Sequence, residues 1–374
     1  MIERFYKNID KLLKPNRALI IYGPRRIGKT TLLNSYLNKT KYKYLLDTGD
    51  NVETRQIFAL PDFEKIIDYA ANYELIAIDE AQLIPSIGSG LKILVDHVPN
   101  IKVIATGSSS FDLANQVGEP LTGRKITINL YPILQLELLS IFNKYELKKN
   151  LPEFLIFGSY PEVITAKTRM EKMTVIKEIV NSYLFKDILA FERIKSPKVL
   201  LDLIKLLAFQ IGSEVSFNEL AAQLSINART VARYIDLLEK SFVIVNLGSF
   251  SRNLRKEVTR KNKYYFLDNG IRNGVIDQFN DLDKRDDIGK LWENFIVMER
   301  MKMLDYKKIY GHLYFWRTYE QKEIDIVEER DGKLAGYDIK WKKDKIKPPK
   351  DWLATYKNAE YKVINQDNYL DYVL

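Results

Sequence analysis

The run Ala18-Leu-Ile-Ile-Tyr22, then Gly23-Pro24-Arg25-Arg26-Ile27-Gly28-Lys29-Thr30-Thr31, then Leu32-Leu-Asn-Ser-Tyr-Leu37, decides the fold of the first third of the chain. Ala18–Tyr22 is a short apolar segment of strand type and Leu32–Leu37 has a helical pattern, so the glycine loop joins a strand to a helix. A polyphosphate site needs that order. Glycines let backbone N–H groups turn inward around phosphates, and the following helix presents its positive N-terminal end to them. Gly23, Pro24, Arg25, Arg26, Ile27, Gly28, Lys29, Thr30 and Thr31 are therefore expected to contact ATP. Lys29 reaches the β- and γ-phosphates and Thr30 ligates Mg2+. A glycine turn without a ligand is the competing reading, and the flanking strand and helix argue against it.

Magnesium and an attacking water need carboxylates at the end of a neighbouring strand. Leu75-Ile-Ala-Ile78 is an apolar strand that ends in Asp79-Glu80-Ala-Gln82. Asp79 suits the Mg2+ shell, and Glu80 is placed to polarise water as a catalytic residue. Ile101-Lys-Val-Ile-Ala105 is a third buried strand running into Thr106-Gly-Ser-Ser-Ser110, where Ser108 is the candidate sensor of the γ-phosphate. Leu121-Thr-Gly-Arg124 precedes a further strand, Ile126-Thr-Ile-Asn-Leu130. Arg124 is thus the candidate arginine finger, adding positive charge to the transferring phosphoryl group. Whether it serves its own subunit or reaches across to another is open, and the second case requires an oligomer.

Composition limits what else attaches to this site. With 374 residues, two or three domains are expected. A hydrophobic content of 46% with 29% charged residues fits a folded soluble protein. No apolar run approaches the roughly 20 residues of a membrane span, and the N-terminus has no signal-peptide core, so a cytoplasmic protein with no membrane partner is expected. Zero cysteines exclude disulfides, thiolate metal sites and cysteine nucleophiles, and the two histidines, His97 and His312, argue against histidine-based metal or triad chemistry. The net charge of +9 suits an acidic partner such as nucleic acid, although high lysine is equally a habit of some genomes.

GPRRIGKTT, IAIDEAQ, ATGSSS and LTGR, in that order, resemble the AAA-type ATPases of archaea and bacteria. Phe157-Gly-Ser-Tyr-Pro161-Glu162 and Tyr183-Leu-Phe-Lys-Asp187-Ile188 resemble elements that follow the ATPase core in the subgroup carrying a C-terminal domain of unknown function. The resemblance spans essentially the whole chain. It implies an ATPase core, a helical lid, a winged helix and a nuclease-like C-terminal module.

Val199–Leu207 and Phe217–Leu224 read as helices, Ser225-Ile-Asn227 as a turn, and Ala228–Glu239 as a third helix. In the third, Val231, Ile235 and Leu238 recur at helical spacing, leaving Arg229, Thr230 and Arg233 outward near its N-terminus. A helix read into a major groove carries such a set. Phe242–Val245 and Lys263–Leu267 read as strands flanking a ribbon with Arg252, Arg255, Lys256, Arg260 and Lys261, the layout of a winged helix with a basic wing. Nucleic acid, DNA before RNA, is the expected partner, and a module that only packs on protein is the alternative.

From about Asp286 the pattern changes to a helix, Ile288–Met298, and strands Leu313–Trp316, Glu323–Val327 and Leu334–Trp341, the last two joined by the hairpin signal Asp331-Gly332. Glu293 lies in the helix, Asp325 inside one strand, and Asp338 and Lys340 on one face of the next. Carboxylates converging with a lysine can hold magnesium and position water against a phosphodiester. The set resembles the PD-(D/E)xK nucleases, which makes Glu293, Asp325 and Asp338 with Lys340 a candidate second metal site. A salt-bridged structural remnant is the alternative. Lys340, Lys342, Lys343, Lys345 and Lys347 fit a phosphate-lined groove or a solvated edge.

The expectation is an α/β chain. A P-loop NTPase domain of AAA+ type with a parallel sheet spans 1–150, a helical lid 151–195, a winged helix-turn-helix domain 196–275, and an α/β PD-(D/E)xK-like domain 276–374. Its expected activity is Mg2+-dependent ATP hydrolysis controlling nucleic-acid-binding and nuclease-like modules. The other reading is a nucleotide-switched scaffold whose modules bind protein and are inert.

Overall fold

The computed structural model describes residues 2–59, 62–108, 118–182, 196–251, 262–318, 320–342, 347–356 and 358–374. The chain divides into two compact units, one of Glu3–Tyr131 with Lys240–Phe242, the other chiefly of Pro132–Glu239 and Val243–Leu374.

The first unit is built on a five-stranded parallel sheet in the order β2-β3-β4-β1-β5. Its strands are β1 (Arg17–Tyr22), β2 (Tyr44–Thr48), β3 (Leu75–Asp79), β4 (Lys102–Gly107) and β5 (Lys125–Asn129). A parallel strand covered on both faces has no solvent side, which is why β1, β3 and β4 read as nearly unbroken Ile, Leu, Val and Ala. Among the described residues of this unit are the helices α1 (Lys29–Leu37), α2 (Val52–Ala59), α3 (Phe63–Ala70) and α4 (Ile87–His97). Ile20, Ile78, Val103 and Ala105 join Phe58 of α2, Ile66 of α3 and Leu91 and Leu94 of α4 in one apolar core. Each large aliphatic side chain so buried contributes about 1.5–3 kcal/mol.

Because every pairing is parallel, the C-terminal ends of β1, β3 and β4 share one edge. Tyr22 is level with Gly107, and Ile78 with Ala105. The glycine loop, Asp79 and Ser108 emerge there. Arg124 is at the opposite end. It precedes β5, whose Lys125 is level with Ala18, and its carbonyl accepts the Ala18 N–H at 2.9 Å.

The second unit opens with helices, among them α5 (Leu151–Phe157) and α6 (Arg169–Ile179). It continues as α7 (Pro197–Phe209), β6 (Glu214–Val215), α8 (Phe217–Leu224), α9 (Ala228–Lys240), β7 (Ile244–Leu247) and β8 (Asn262–Phe266). The strands form an antiparallel sheet in the order β6-β8-β7. Asn227 caps α9, its Oδ1 accepting the Thr230 N–H at 2.7 Å. β7 starts later than the expected Phe242 because that residue has φ +57°, a left-handed conformation that breaks an extended run.

After α10 (Asn269–Val275) comes α11 (Ile288–Tyr306), which runs well past the expected end at Met298. Strands β9 (His312–Arg317), β10 (Glu323–Arg330), β11 (Lys333–Ile339) and β12 (Glu360–Ile364) pair in the order β12-β11-β10-β9. The β10–β11 turn has φ +49° at Asp331 and +73° at Gly332, the left-handed pair that an Asp-Gly hairpin supplies. Among the described residues no helix is long and apolar enough to cross a membrane.

Candidate functional site

The glycine loop is held in a shape that only glycine tolerates at two points. Gly23 has φ +152°, and a Cβ there would lie 2.1 Å from the Leu130 carbonyl oxygen; Gly28, at φ +89°, caps α1. Ile27 is buried beneath the loop, and its carbonyl accepts from Arg4 Nη1 at 2.7 Å, while Arg4 Nη2 donates to the Tyr131 carbonyl at 2.6 Å. Arg4 thus braces the loop from outside its sequence neighbourhood. Lys29 is 4% exposed, and its ammonium donates to the carbonyls of Gly23 at 2.9 Å and Pro24 at 2.8 Å. Burial drives its pKa from 10.5 down to about 8, although Glu80 and Asp79 pull it up.

One polar link joins the loop to the end of β3, and two join β3 to β4. Thr30 Oγ1 donates to Asp79 Oδ2 at 2.7 Å, and Thr106 Oγ1 donates to Asp79 Oδ1. The same Thr106 hydroxyl accepts the Glu80 N–H at 3.1 Å. Glu80 has φ +48°, so the chain turns sharply as it leaves β3. Gln82, in the following short turn, donates from Nε2 to Glu80 Oε2 at 2.5 Å and to Ser108 Oγ at 2.9 Å. Sequence reasoning placed Lys29, Thr30, Asp79, Glu80 and Ser108 here but gave Gln82 no role. Its signal was a polar side chain two positions beyond Glu80, amid buried residues.

Arg124 does not join this edge. Its Nε is 2.5 Å from Asp96 Oδ1 in the last turn of α4. Gly23 lies six residues beyond the level of Arg124 on the neighbouring strand, about 20 Å at the rise of an extended chain. That exceeds the reach of an arginine side chain, so Arg124 is out of range of its own loop.

The second candidate site also assembles in part. Asp325 lies where the β9–β10 register shifts between Ile324 and Val327, an irregularity that re-aims side chains. Asp325 Oδ2 accepts the Ile339 N–H at 2.7 Å and stands 3.5 Å from Lys340 Nζ. Asp338 Oδ2 accepts the Tyr361 hydroxyl at 2.6 Å, and Glu293 Oε1 accepts that of Tyr265 at 2.7 Å. A residue that sequence reasoning left as ordinary strand completes the cluster. Lys263 of β8 is 1% exposed, with its ammonium 3.3 Å from Glu293 and paired also with Glu323. Burial would lower the pKa of Lys263, but Glu293, Glu323 and Asp325 hold it above the ordinary lysine range. Burial raises that of Glu293 to about 7, with Lys263 opposing and Asp325 reinforcing the rise. Among the described residues no group of three or more acidic or histidine side chains converges to hold a metal. The carboxylates of Glu293, Asp325 and Asp338 are partnered by lysine ammonium groups, tyrosine hydroxyls and the Ile339 N–H.

On α9, Arg229 and Arg233 are exposed and Thr230 half-buried, while Val231, Ile235 and Leu238 are buried. Arg252, Arg255, Lys256, Arg260 and Lys261 lie outside the described residues, as do Tyr183–Ile188, Ser109, Ser110, Lys343 and Lys345.

A parallel sheet whose first strand feeds a phosphate-binding loop, with the acidic pair at the end of a neighbouring strand, defines a P-loop ATPase domain. Residues 15–139 match the AAA domain family. The remainder matches two domains of unknown function, DUF8612 over 148–282 and DUF4143 over 288–369. An uncharacterized protein of Mycobacterium tuberculosis is 27% identical over 328 residues, which cover 86% of this chain and 70% of the relative. One from Methanocaldococcus jannaschii is 25% identical over 312 residues, covering 78% and 68%. Among solved structures, the Walker-type ATPase of Pyrococcus abyssi superposes with a TM-score of 0.49 at 15% identity, covering 74% of this chain and 96% of that one.

Proposed function

We propose that the chain hydrolyses ATP with Mg2+ at the loop after β1, and that the nucleotide state governs a nucleic-acid-binding module in residues 196–275. The observation that carries the first part is the contact of Thr30 with Asp79, a hydroxyl from α1 and a carboxylate from β3 standing 2.7 Å apart. Both are hard oxygen donors of the kind Mg2+ takes, a few from the protein with the rest from water and phosphate. Bound with ATP, the ion would neutralise charge on the phosphates. In this reading Lys29 binds the β- and γ-phosphates, Glu80 orients the attacking water and Ser108 donates to the γ-phosphate. Arg124 contributes only from a second copy of the chain, so a step assisted by Arg124 requires an oligomer. Lys29→Ala is expected to abolish nucleotide binding, and Glu80→Gln to keep binding and stop phosphate release. Wild-type turnover in Glu80→Gln removes Glu80 from its role, and no Mg2+-dependent phosphate release by the unaltered chain ends the reading.

The order α7, β6, α8, α9, β7, β8 supports a winged helix, and the exposed Arg229 and Arg233 support α9 as its nucleic-acid face. DNA is preferred to RNA because the major groove of B-DNA admits a helix and that of RNA does not. For the C-terminal sheet the charge pairing of Lys263 and Lys340 favours an inert module over a nuclease. Manganese-dependent cleavage of DNA that disappears in both Asp325→Ala and Lys340→Ala would reverse that preference.

A further inference from the structure

We propose that Gln82 is a positioning residue that couples Ser108 to Glu80, so that where Ser108 meets the terminal phosphate sets where the Glu80 carboxylate stands. The inference rests on the reading of this edge as an ATPase site.

Gln82 is 7% exposed, and its amide is fully engaged. Nε2 donates to Glu80 Oε2 at 2.5 Å and to Ser108 Oγ at 2.9 Å, and Oε1 accepts the Ser108 N–H at 3.3 Å. Turning the amide over would set its carbonyl oxygen against an ionised carboxylate, so the charge on Glu80 fixes which way Gln82 points. That orientation has a consequence at each end. Ser108 Oγ accepts a hydrogen bond from the amide, so its own hydroxyl proton is directed elsewhere and is available to an anionic oxygen. Glu80 has one oxygen pinned, which stops the carboxylate from rotating and leaves the other to accept from water.

The main chain of Glu80 is tied to the same strand end, through Thr106 Oγ1 at 3.1 Å. Thr106 also donates to Asp79. Asp79 and the backbone of Glu80 therefore share one anchor on β4, whereas the side chain of Glu80 has its own anchor two residues further on, through Gln82 to Ser108. A phosphate that shifts Ser108 would move the Glu80 carboxylate while leaving Asp79 in place. Gln82 is the only described residue hydrogen-bonded to both side chains.

The test uses the full chain with Mg2+ and ATP and compares Gln82→Met, Gln82→Glu and Ser108→Ala, alone and combined. Gln82→Met keeps length without polarity. It is expected to leave nucleotide affinity within about threefold and to lower kcat about 100-fold, the scale of a reacting group displaced by about 1 Å. Ser108→Ala is expected to cost less in the Gln82→Met background than in the unaltered chain, since the two act as one unit. Gln82→Glu, which sets a like charge against Glu80, should be at least as slow. If Gln82→Met lowers the melting temperature, Gln82→Asn replaces it, because its amide is too short to span both partners. Gln82 variants that turn over at the wild-type rate while Glu80→Gln is inactive overturn the coupling and leave the ATPase reading intact. Parallel loss of affinity and kcat, or full additivity with Ser108→Ala, assigns Gln82 to packing and overturns it as well. An unaltered chain that binds ATP without turnover ends both.

Discussion

ATP affinity should weaken as pH rises through about 8, because Lys29 must be charged to bind phosphate and its burial discourages the charge. The fall of its pKa from 10.5 to about 8 corresponds to about 3 kcal/mol of disfavoured charge burial. Phosphate oxygens reverse this by supplying a counter-charge, so binding is accompanied by proton uptake wherever free Lys29 is neutral. Below about pH 7 the lysine is already charged and affinity is level; above 8 it falls toward tenfold per pH unit, giving about tenfold weaker binding at pH 9 than at pH 7. Folding stability moves the other way. The unfolded chain holds the Lys29 proton up to 10.5 while the folded chain releases it near 8, so the unfolded state binds more protons in that window and stability rises with pH there. Titration calorimetry with a thiophosphate ATP analogue, fully ionised across the range, in two buffers of different ionisation heat, reads the proton uptake directly. It should approach one proton per nucleotide near pH 9. Lys29→Arg cannot titrate in this range, so whatever affinity it keeps should be level with pH. Affinity that is level from pH 7 to 9 with no proton uptake would refute the account of Lys29 as a burial-weakened cation.

On α9, Arg229→Ala and Arg233→Ala should each weaken DNA binding and reduce the slope of log affinity against log salt by about one, measured by fluorescence anisotropy across salt concentrations. Slopes equal to that of the unaltered chain would take α9 off the nucleic-acid face. Lys263→Met should destabilise the second unit by about 3–5 kcal/mol in chemical denaturation, because it strands Glu293 and Glu323 without their counter-ion. Adding Glu293→Gln should recover part of that loss, and full additivity of the two changes would show that the pairing is not what stabilises the cluster.

The features legible in the sequence are those whose cause is local. A fully covered parallel strand must be apolar throughout, so Leu19–Ile21 and Ile76–Ile78 announce themselves, and the positive φ of Gly23 and Gly28 demands glycine at those two places. Asp79 and Glu80 follow because a strand end beside the loop is where a carboxylate is useful. Bonds that close over distance left no such trace. Arg4 reaches Ile27 of the loop across 23 positions and Tyr131 across 127, and nothing periodic marks it. Lys263 sits in a strand that reads as apolar, and its one charge was the available signal of a buried counter-ion. For Glu293, Asp325 and Asp338 the motif names donors and acceptors without showing which already satisfy one another. The separation of Arg124 from the loop was within reach. In a sheet whose strands run one way, a residue that precedes a strand lies at the opposite end from one that follows a strand.

That separation shapes what a single chain can do. At one edge, the end of β4 secures Asp79 and the Glu80 backbone through Thr106, and the Glu80 side chain through Gln82 and Ser108, which on the proposed reading joins nucleotide contact to water orientation. At the other edge, Arg124 is held by Asp96 and has no path to its own phosphates. Preorganised charge acts over the few ångströms of a desolvated site, not over the length of a strand. On the proposed reading one copy holds the parts for binding ATP and placing water, and Arg124 assists only the site of another copy. Releasing Arg124 from Asp96 would be part of that event, because an arginine already paired with a carboxylate has less positive potential to offer a phosphoryl group. The Asp96 pairing thus makes Arg124 of an isolated chain electrostatically quiet, and on the proposed reading an oligomer is where the two edges become parts of one site.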